Sequence, residues 1–231
     1  MIRQRWRDLL FAHWPVPEAR VRPLVPPALA LDRHEGRVWI TLIPFLISES
    51  RLSWVPPALA SAFLEVNLRT YVRGPDGEPG IYFFSLEAAS AVAVAGARLG
   101  FGLPSFLAAM SRRVAGDRIA YASRRRYGRA AELSVTWTVG EPSWTAPPGS
   151  REHFLIERYT LYVQRRTGLF RGHVRHVPYP LRRAAIETLS ESLLAAAGLP
   201  APDGPPLCQH SPGVDVEILA LERAPGPAPG R

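Results

Sequence analysis

The amino-acid sequence predicts a mainly β fold with a few short helices. Apolar and polar side chains alternate with a two-residue period in several segments, as they do in half-buried strands. The chain has 24 prolines in 231 residues, roughly twice average usage, and they fall between apolar runs as they do between short strands. Because 47% of the residues are apolar and 21% are charged, the composition excludes general disorder, a collagen-like repeat and a coiled coil.

The strands follow from the side-chain pattern. Residues 132–139 alternate without exception, which predicts a strand with one buried face. Residues 38–47 are apolar on both faces and rich in β-branched and aromatic side chains, which predicts a strand covered on both sides. Further strands are predicted at residues 63–72, 81–87, 118–125, 161–165, 169–177 and 214–222, with a hairpin turn at 165–168.

The helices are fewer and shorter. The clearest is predicted at residues 183–197, where apolar residues from Ile186 onward recur at helical spacing and Gly198 stands at the end. Weaker helices are predicted at residues 17–24, 89–98, 103–110 and 150–157, the last with Ser150 as its N-cap. These elements predict one domain over residues 1–223, whose mainly antiparallel sheet is large enough to close into a barrel. A disordered tail rich in proline and glycine is predicted at residues 224–231.

All of the side-chain positive charge comes from arginine. The chain contains 28 arginines and no lysine, and its formal net charge is +8. Without lysine there is no P-loop lysine, no kinase-type lysine and no lysine Schiff base, so an arginine at a site serves to bind or stabilise an anion. The densest basic run, Arg124, Arg125, Arg126 and Arg129, suits nucleic acid or an acidic partner. A solvated strand end is the favoured interpretation, because no nucleic-acid motif surrounds the run.

The cysteine count and the lengths of the uncharged stretches indicate where in the cell the protein is expected. Cys208 is the only cysteine, so no intrachain disulfide is expected and a cytoplasmic location fits. No stretch free of charged residues reaches the roughly 20 residues that a spanning helix needs, and we expect neither a membrane span nor an export signal. The oligomeric state, including a homo-oligomer, stays open.

The segment 63–72 is the most informative for function. One face of this strand carries Phe63, Glu65, Asn67, Arg69 and Tyr71, and the other face is mainly apolar. If the mixed face meets water, Glu65 and Arg69 form a weak surface pair. If it meets a cavity, they form a desolvated pair suited to proton transfer or anion binding. The residues alone slightly favour the exterior interpretation.

The segment 169–177 also alternates, and it places His176 on the face opposite Arg171, His173 and Arg175. His176 is then a proton carrier or, as the favoured interpretation, a neutral hydrogen-bonded core histidine. His173 and His176 point to opposite faces and cannot share a metal ion. No cofactor and no metal site are predicted.

Other chemical motifs are incomplete. Cys208 and His210 lack nearby further metal ligands. Gly100 and Gly102 begin a dinucleotide fingerprint without its third glycine, and the G-x-S-x-G motif of hydrolases is missing from the sequence.

Five motifs together resemble the YqjF-like family of uncharacterised bacterial proteins, and they occur in order from residue 6 to about residue 222. They are WRDLLFAHWPV at 6–16, EVNLRTYV at 65–72, YFFSL at 82–86, ERYTLY at 157–162 and HVPYPL at 176–181. This family is similar at fold level to acetoacetate decarboxylase, which implies a closed, cone-shaped antiparallel β-barrel with flanking helices and an internal cavity. The resemblance therefore favours the cavity interpretation for Glu65 and Arg69.

The resemblance fails at one motif. The decarboxylase carries Gly-x-Pro-Lys-Lys, whose first lysine forms the Schiff base, and the similar stretch here is Gly102-Leu-Pro-Ser105-Phe106. Ser105 cannot form an imine. Glu65 looks like a counterpart of one decarboxylase carboxylate, on spacing alone.

These observations favour one functional hypothesis over two others. The favoured one is a β-barrel that binds a small carboxylate or carbonyl compound, either as a binding protein or as an enzyme that works without a lysine Schiff base. Arg69 would hold the anion, Glu65 and His176 would move protons, and Asn67, Tyr71 and Ser105 would orient the ligand. The alternatives are binding of nucleic acid or an acidic partner through residues 124–129, and a structural barrel without catalytic activity.

Overall fold

The computed structural model describes residues 1–226. Strands account for 55% of the structure and helices for 14%, which confirms the predicted mainly β fold. The strands are β1 (Ile2–Val16), β2 (Ala30–Leu31), β3 (Val38–Leu52), β4 (Ser61–Arg73), β5 (Pro79–Ala88), β6 (Ser105–Ala115), β7 (Arg118–Arg125), β8 (Glu132–Val139), β9 (Thr160–Arg165), β10 (Gly168–Arg175), β11 (Arg182–Glu191), β12 (Leu207–Ile218) and β13 (Glu222–Arg223). The helices are α1 (Glu18–Val21), α2 (Ala91–Gly96), α3 (Arg151–Ile156) and α4 (Leu193–Ala196), with 3-10 turns at Arg22–Leu24 and Pro57–Leu59 and a π-helical turn at Ala97–Phe101 that continues α2.

A central layer of five strands, in the order β5–β4–β3–β1–β12, organises the sheet. Each outer strand of this layer pairs with two further strands. Residues 81–82 of β5 pair with β9 and residues 86–88 pair with β6, while β12 pairs with both β10 and β11. The arm β9–β10 therefore closes one ring with the central layer, and the arm β6–β7–β8–β11 closes another.

Each face of the central layer carries its own core. The face toward β7 and β8, here called the filled side, packs Val66 and Leu68 of β4 with Trp137 of β8. The face toward β9 and β10, here called the cavity side, packs Phe63 and Tyr71 of β4 with residues of both arm strands. Because successive strand residues point to opposite faces, the alternation of β4 divides its side chains between two interiors.

β-Bulges explain two elements that the sequence pattern hides. The pairing of β1 with β3 shifts between Arg7 and Ala12, and Asp8 lies there with φ 50°. The extra residue breaks the two-residue period, so Trp6 and Phe11 both face the cavity side although they are five positions apart in the sequence. The alternation therefore does not predict β1.

The helix predicted at 183–197 is wrong over most of its length. Residues 182–191 form β11, which pairs with β8, and the register shifts between Ile186 and Thr188. This bulge puts Ile186 and Leu189 against the filled side at a three-residue spacing that imitates a helix. Only α4 is helical, and its predicted end is confirmed by Gly198 at φ 81°.

The helix predicted at 103–110 is also wrong, because Ser105–Ala115 is β6 and residues 108–115 pair with β7. Sheet pairing overrides the helix propensity of this segment. The strands predicted at 118–125 and 132–139 match β7 and β8, and the hairpin turn joins β9 to β10. Ser150 caps α3, since its Oγ accepts from the His153 N–H at 3.1 Å.

The structure describes only part of the predicted tail at residues 224–231. Residues 227–231 of the predicted tail lie outside the described residues, and Ala224 donates its N–H to the Leu169 carbonyl at 3.0 Å. The single domain over 1–223 stays a prediction. Within residues 1–226, no helix has the length and hydropathy required to cross a membrane.

Candidate functional site

A cavity of about 360 Å³ lies on the cavity side of the central layer. Its volume falls in the range of small-molecule sites, roughly 300–1,000 Å³. Alternate residues of β4 line its wall: Phe63, Glu65, Asn67 and Arg69. The mixed face of this strand thus meets an interior and not the surrounding water, as the family resemblance implies.

Arg69 brings a positive charge to the cavity wall. Its side chain is only 6% exposed, and its Nη2 donates to the Leu155 carbonyl at 3.1 Å. Within residues 1–226 its buried Nε has no hydrogen-bond acceptor, and no carboxylate lies within ion-pair distance. Because guanidinium stays protonated, the wall carries a buried charge without a protein counter-ion.

Glu65 lies four residues from Arg69 on the same strand. Burial raises the pKa of Glu65 to about 8, so this carboxyl is mainly protonated at neutral pH. Its side chain keeps some accessible surface because it borders the cavity. The predicted pair with Arg69 is not formed, and a spacing of four positions along the strand puts the two Cα atoms about 13 Å apart. The carboxyl oxygens of Glu65 make no hydrogen bond and no ion pair within the described chain.

Asn67 lies between them and lines the same wall. The residue is 6% exposed, and its buried Oδ1 accepts no hydrogen bond within residues 1–226. An amide oxygen left without a donor is costly in an apolar interior. A ligand hydroxyl or N–H group would satisfy it.

His176 follows β10 and faces the cavity, as its strand pattern predicts. Its ring lies 4.7 Å from that of Tyr159 and 4.5 Å from that of Tyr179. Its Nδ1 lies 2.7 Å from the Val177 carbonyl, which can only accept, so this nitrogen carries the proton. Burial lowers the pKa of His176, and Arg69 lowers it further, so the ring is neutral with Nε2 free to accept a proton.

The lining residues that the sequence analysis missed include Arg158 and Tyr179. Arg158 forms an ion pair at 2.8 Å with Asp32, a carboxylate that it shares with Arg73. Tyr179 is fixed by its own backbone N–H, which donates to Glu157 Oε1 at 2.9 Å. Burial raises the pKa of Tyr179, which therefore stays a phenol with a proton to donate. Both residues lie in the quoted motifs, but outside the strands, where no periodicity indicates which way a side chain points.

Tyr71 and Ser105 are not brought to the cavity wall. Tyr71 lies one alternation beyond Arg69, under α3, and its hydroxyl donates to the Leu155 carbonyl at 2.6 Å and also contacts Thr41. Ser105 is 3% exposed and lies beside Leu86 in the β5–β6 pairing, and Leu86 lines the cavity in its place. Neither residue lines the cavity, so their positions do not support the predicted roles in orienting a ligand.

The basic run is divided by the fold. Arg125 forms a buried ion pair with Glu87 at 2.5 Å and stacks on the Phe106 ring at 3.7 Å. The other three arginines of the run are exposed: Arg124, Arg126 and Arg129.

His210, a metal ligand considered in the sequence analysis, has a protein partner instead. It accepts a hydrogen bond from Trp137 Nε1 at 3.4 Å, and burial lowers the pKa of His210 to about 4. Among the described residues, no cluster of three potential metal ligands occurs.

Known proteins resemble this chain in sequence and in fold. The model of the DUF2071 family, described as an uncharacterized conserved protein, matches residues 3–215. The uncharacterized protein YqjF of Bacillus subtilis is 40% identical over 225 residues, which cover 96% of this chain and 92% of that protein. The chain therefore belongs to the DUF2071 family.

Solved structures share the fold at low sequence identity. The enduracididine biosynthesis enzyme MppR complexed with pyruvate has a TM-score of 0.65 at 15% identity, covering 96% of this chain and 90% of that chain. Acetoacetate decarboxylase from Legionella pneumophila has a TM-score of 0.65 at 14% identity, covering 97% and 87%. The resemblance to the decarboxylase fold is thus confirmed.

Proposed function

We propose that this DUF2071 protein binds a small organic carboxylate in the cavity, with Arg69 as the partner of the anion. The observation that carries the proposal is the buried Arg69 guanidinium, whose Nε lacks an acceptor and whose charge lacks a counter-ion within residues 1–226. Removing a charged group from water costs several kcal/mol unless a partner compensates for it. A ligand carboxylate supplies both the opposite charge and the missing acceptor.

The fold supports the same ligand class. One structural neighbour, MppR, is complexed with pyruvate, an organic carboxylate with a carbonyl group. The absence of lysine from these 231 residues means that no side-chain amine is present to form an imine with such a carbonyl. The ionisable groups that the cavity offers instead donate and accept protons.

Glu65 and His176 provide such a pair. The cavity environment raises the pKa of Glu65 and lowers that of His176, which leaves an acid and a base lining the same cavity at neutral pH. His176 Nε2 accepts a proton from the carbon beside a ligand carbonyl, and Glu65 donates one to the carbonyl oxygen, which gives the enol. The reverse transfers restore the carbonyl, so the cycle needs no other reactant.

A binding panel tests the carboxylate site. Thermal unfolding is measured with carboxylic acids, oxo acids and neutral carbonyl compounds. A ligand at about 100 times its dissociation constant stabilises the fold by roughly 2.7 kcal/mol, a rise of about 5 to 10 °C for a chain of this length. Acids should raise the melting temperature of the wild type and of Arg113→Met, an exposed control, but not of Arg69→Met. Equal shifts in both variants would refute the role of Arg69.

Deuterium exchange tests the proton-transfer step separately. Oxo acids that bind are incubated in D2O, and exchange at the carbons beside the carbonyl is followed by NMR. The wild type should accelerate exchange, and Glu65→Gln and His176→Gln should each lose most of the acceleration. Binding without any acceleration would leave a binding protein and remove the enzymatic part of the proposal.

A further inference from the structure

The cavity has a buried charge at one end and a mainly apolar wall at the other. Arg69 and Tyr179 both line the cavity, and we take them to mark its charged end. Beyond Glu65 the wall continues with Phe63 of β4 and with Ile2 of β1, which pairs with Leu52. The polar side chains at this end, Gln4 and Ser50, bond to each other at 3.1 Å. The charge-binding group and the apolar wall thus lie at different levels of the same strand layer.

A helical segment covers the apolar end. It begins soon after Ala88, which pairs with Glu65, and so it lies at the Glu65 level of the sheet and not at the Arg69 level. Ala93, Ala97 and Phe101 recur every four residues and line the cavity. Two of these three side chains are single methyl groups, so the segment leaves room at this end.

We infer that the ligand is an elongated monocarboxylate whose apolar chain extends from Arg69 past Glu65 to this segment, and that Ala93 and Ala97 set the chain length. This inference rests on the proposed function, because it places the carboxylate at Arg69. A short acid held there leaves the wall beyond Glu65 without a ligand contact, since the Cα of Glu65 already lies about 13 Å from that of Arg69. An apolar chain fits both the lining and the protonated state of Glu65.

The inference predicts a steep dependence on chain length. Each buried methylene tightens binding by about fourfold until the chain meets the helical segment. Dissociation constants for butanoate, hexanoate, octanoate and decanoate are measured by titration calorimetry near pH 7. The wild type should bind octanoate far more tightly than butanoate.

Filling the apolar end should shorten the preferred chain. In Ala97→Leu, butanoate should bind within about twofold of wild type, and octanoate should weaken by about tenfold or more. Ala93→Leu should also weaken octanoate more than butanoate, and it replaces Ala97→Leu as the test if that variant does not fold. Ala95→Leu is the matched control, because Ala95 is exposed and is not part of the lining, and its profile should equal that of the wild type.

The outcomes separate the two claims. Acids that bind through Arg69 with equal affinity at every chain length would overturn the inference and leave the proposed function intact. An equal loss for butanoate and octanoate in Ala97→Leu and Ala93→Leu would also overturn it. If the wild type binds none of the acids, or Arg69→Met binds them as the wild type does, the proposed function fails and the inference fails with it.

Discussion

The two faces of the central layer have the same scaffold and opposite contents. On the filled side, Val66 and Leu68 of β4 are fully buried in an apolar core, together with Trp137 of β8. On the cavity side, their immediate neighbours Asn67 and Arg69 present polar atoms without partners to an unfilled space. A polar group on the filled side is treated differently, since the Tyr121 hydroxyl lies within hydrogen-bond distance of two carbonyl oxygens.

This difference indicates a division of labour within single strands. On β4, the residues of the filled side supply packing energy, and those of the cavity side carry unpaired groups at a cost in stability. Substitutions on the filled side should therefore lower the free energy of unfolding, whereas substitutions on the cavity side should change ligand binding. The predictions below test this from the largest expected effect to the smallest.

The largest loss of stability is expected on the filled side. Trp137→Ala removes a side chain with 0% exposure and should lower the free energy of unfolding by about 3–5 kcal/mol. Urea unfolding measures the loss. The affinity of the folded fraction for carboxylates should stay unchanged, and a large change in affinity would mean that the two sides are not independent.

Arg69→Met should separate stability from binding. Carboxylate affinity should fall by roughly a hundredfold, because a charged hydrogen-bonded partner is lost. The free energy of unfolding should stay equal or rise, since an unpaired buried charge is replaced by an apolar side chain of similar length. Calorimetry and urea unfolding measure the two quantities, and a marked loss of stability would show that Arg69 is a structural residue.

Glu65→Gln should change how stability depends on pH. The pKa of Glu65 is about 8 in the folded protein and near 4.5 when exposed, so the folded state holds the proton more tightly than the unfolded state does. The stabilising contribution is complete below about pH 4.5 and is lost as the pH rises through 8. Relative to wild type, Glu65→Gln should gain on the order of 2 kcal/mol at about pH 9, less than the full shift implies because the carboxylate borders the cavity.

The pH effect has a simple control. Glu35 is exposed, and Glu35→Gln should follow the wild type across the whole pH range. A constant difference between Glu65→Gln and wild type from pH 4 to 9 would contradict the burial of the Glu65 carboxyl.

Asn67→Leu should have the smallest effect. It removes an amide oxygen without a donor, so the free energy of unfolding should change by no more than about 1 kcal/mol. Loss of affinity for ligands with hydroxyl groups, but not for simple acids, would assign the amide to ligand contact. A loss of stability as large as that of Trp137→Ala would contradict the contrast between the two sides.

The strands with unbroken alternation, and the site residues on them, could be predicted from the sequence. The period of β4 places Glu65, Asn67 and Arg69 together without any tertiary information, although only the family resemblance favours an interior over water. Arg158 and Tyr179 could not be found in this way, because irregular segments have no fixed side-chain period. β1 and β11 were missed because bulges at Asp8 and near Ile186 shift their patterns.

The most direct test compares a carboxylate with its neutral amide. Hexanoate and hexanamide have the same chain, and their dissociation constants are measured near pH 7 in wild type and in Arg69→Met. The wild type should prefer hexanoate by roughly a hundredfold, and Arg69→Met should bind the two about equally. If the wild type has no preference, or if Arg69→Met keeps it, Arg69 is not the anion-binding group of the cavity.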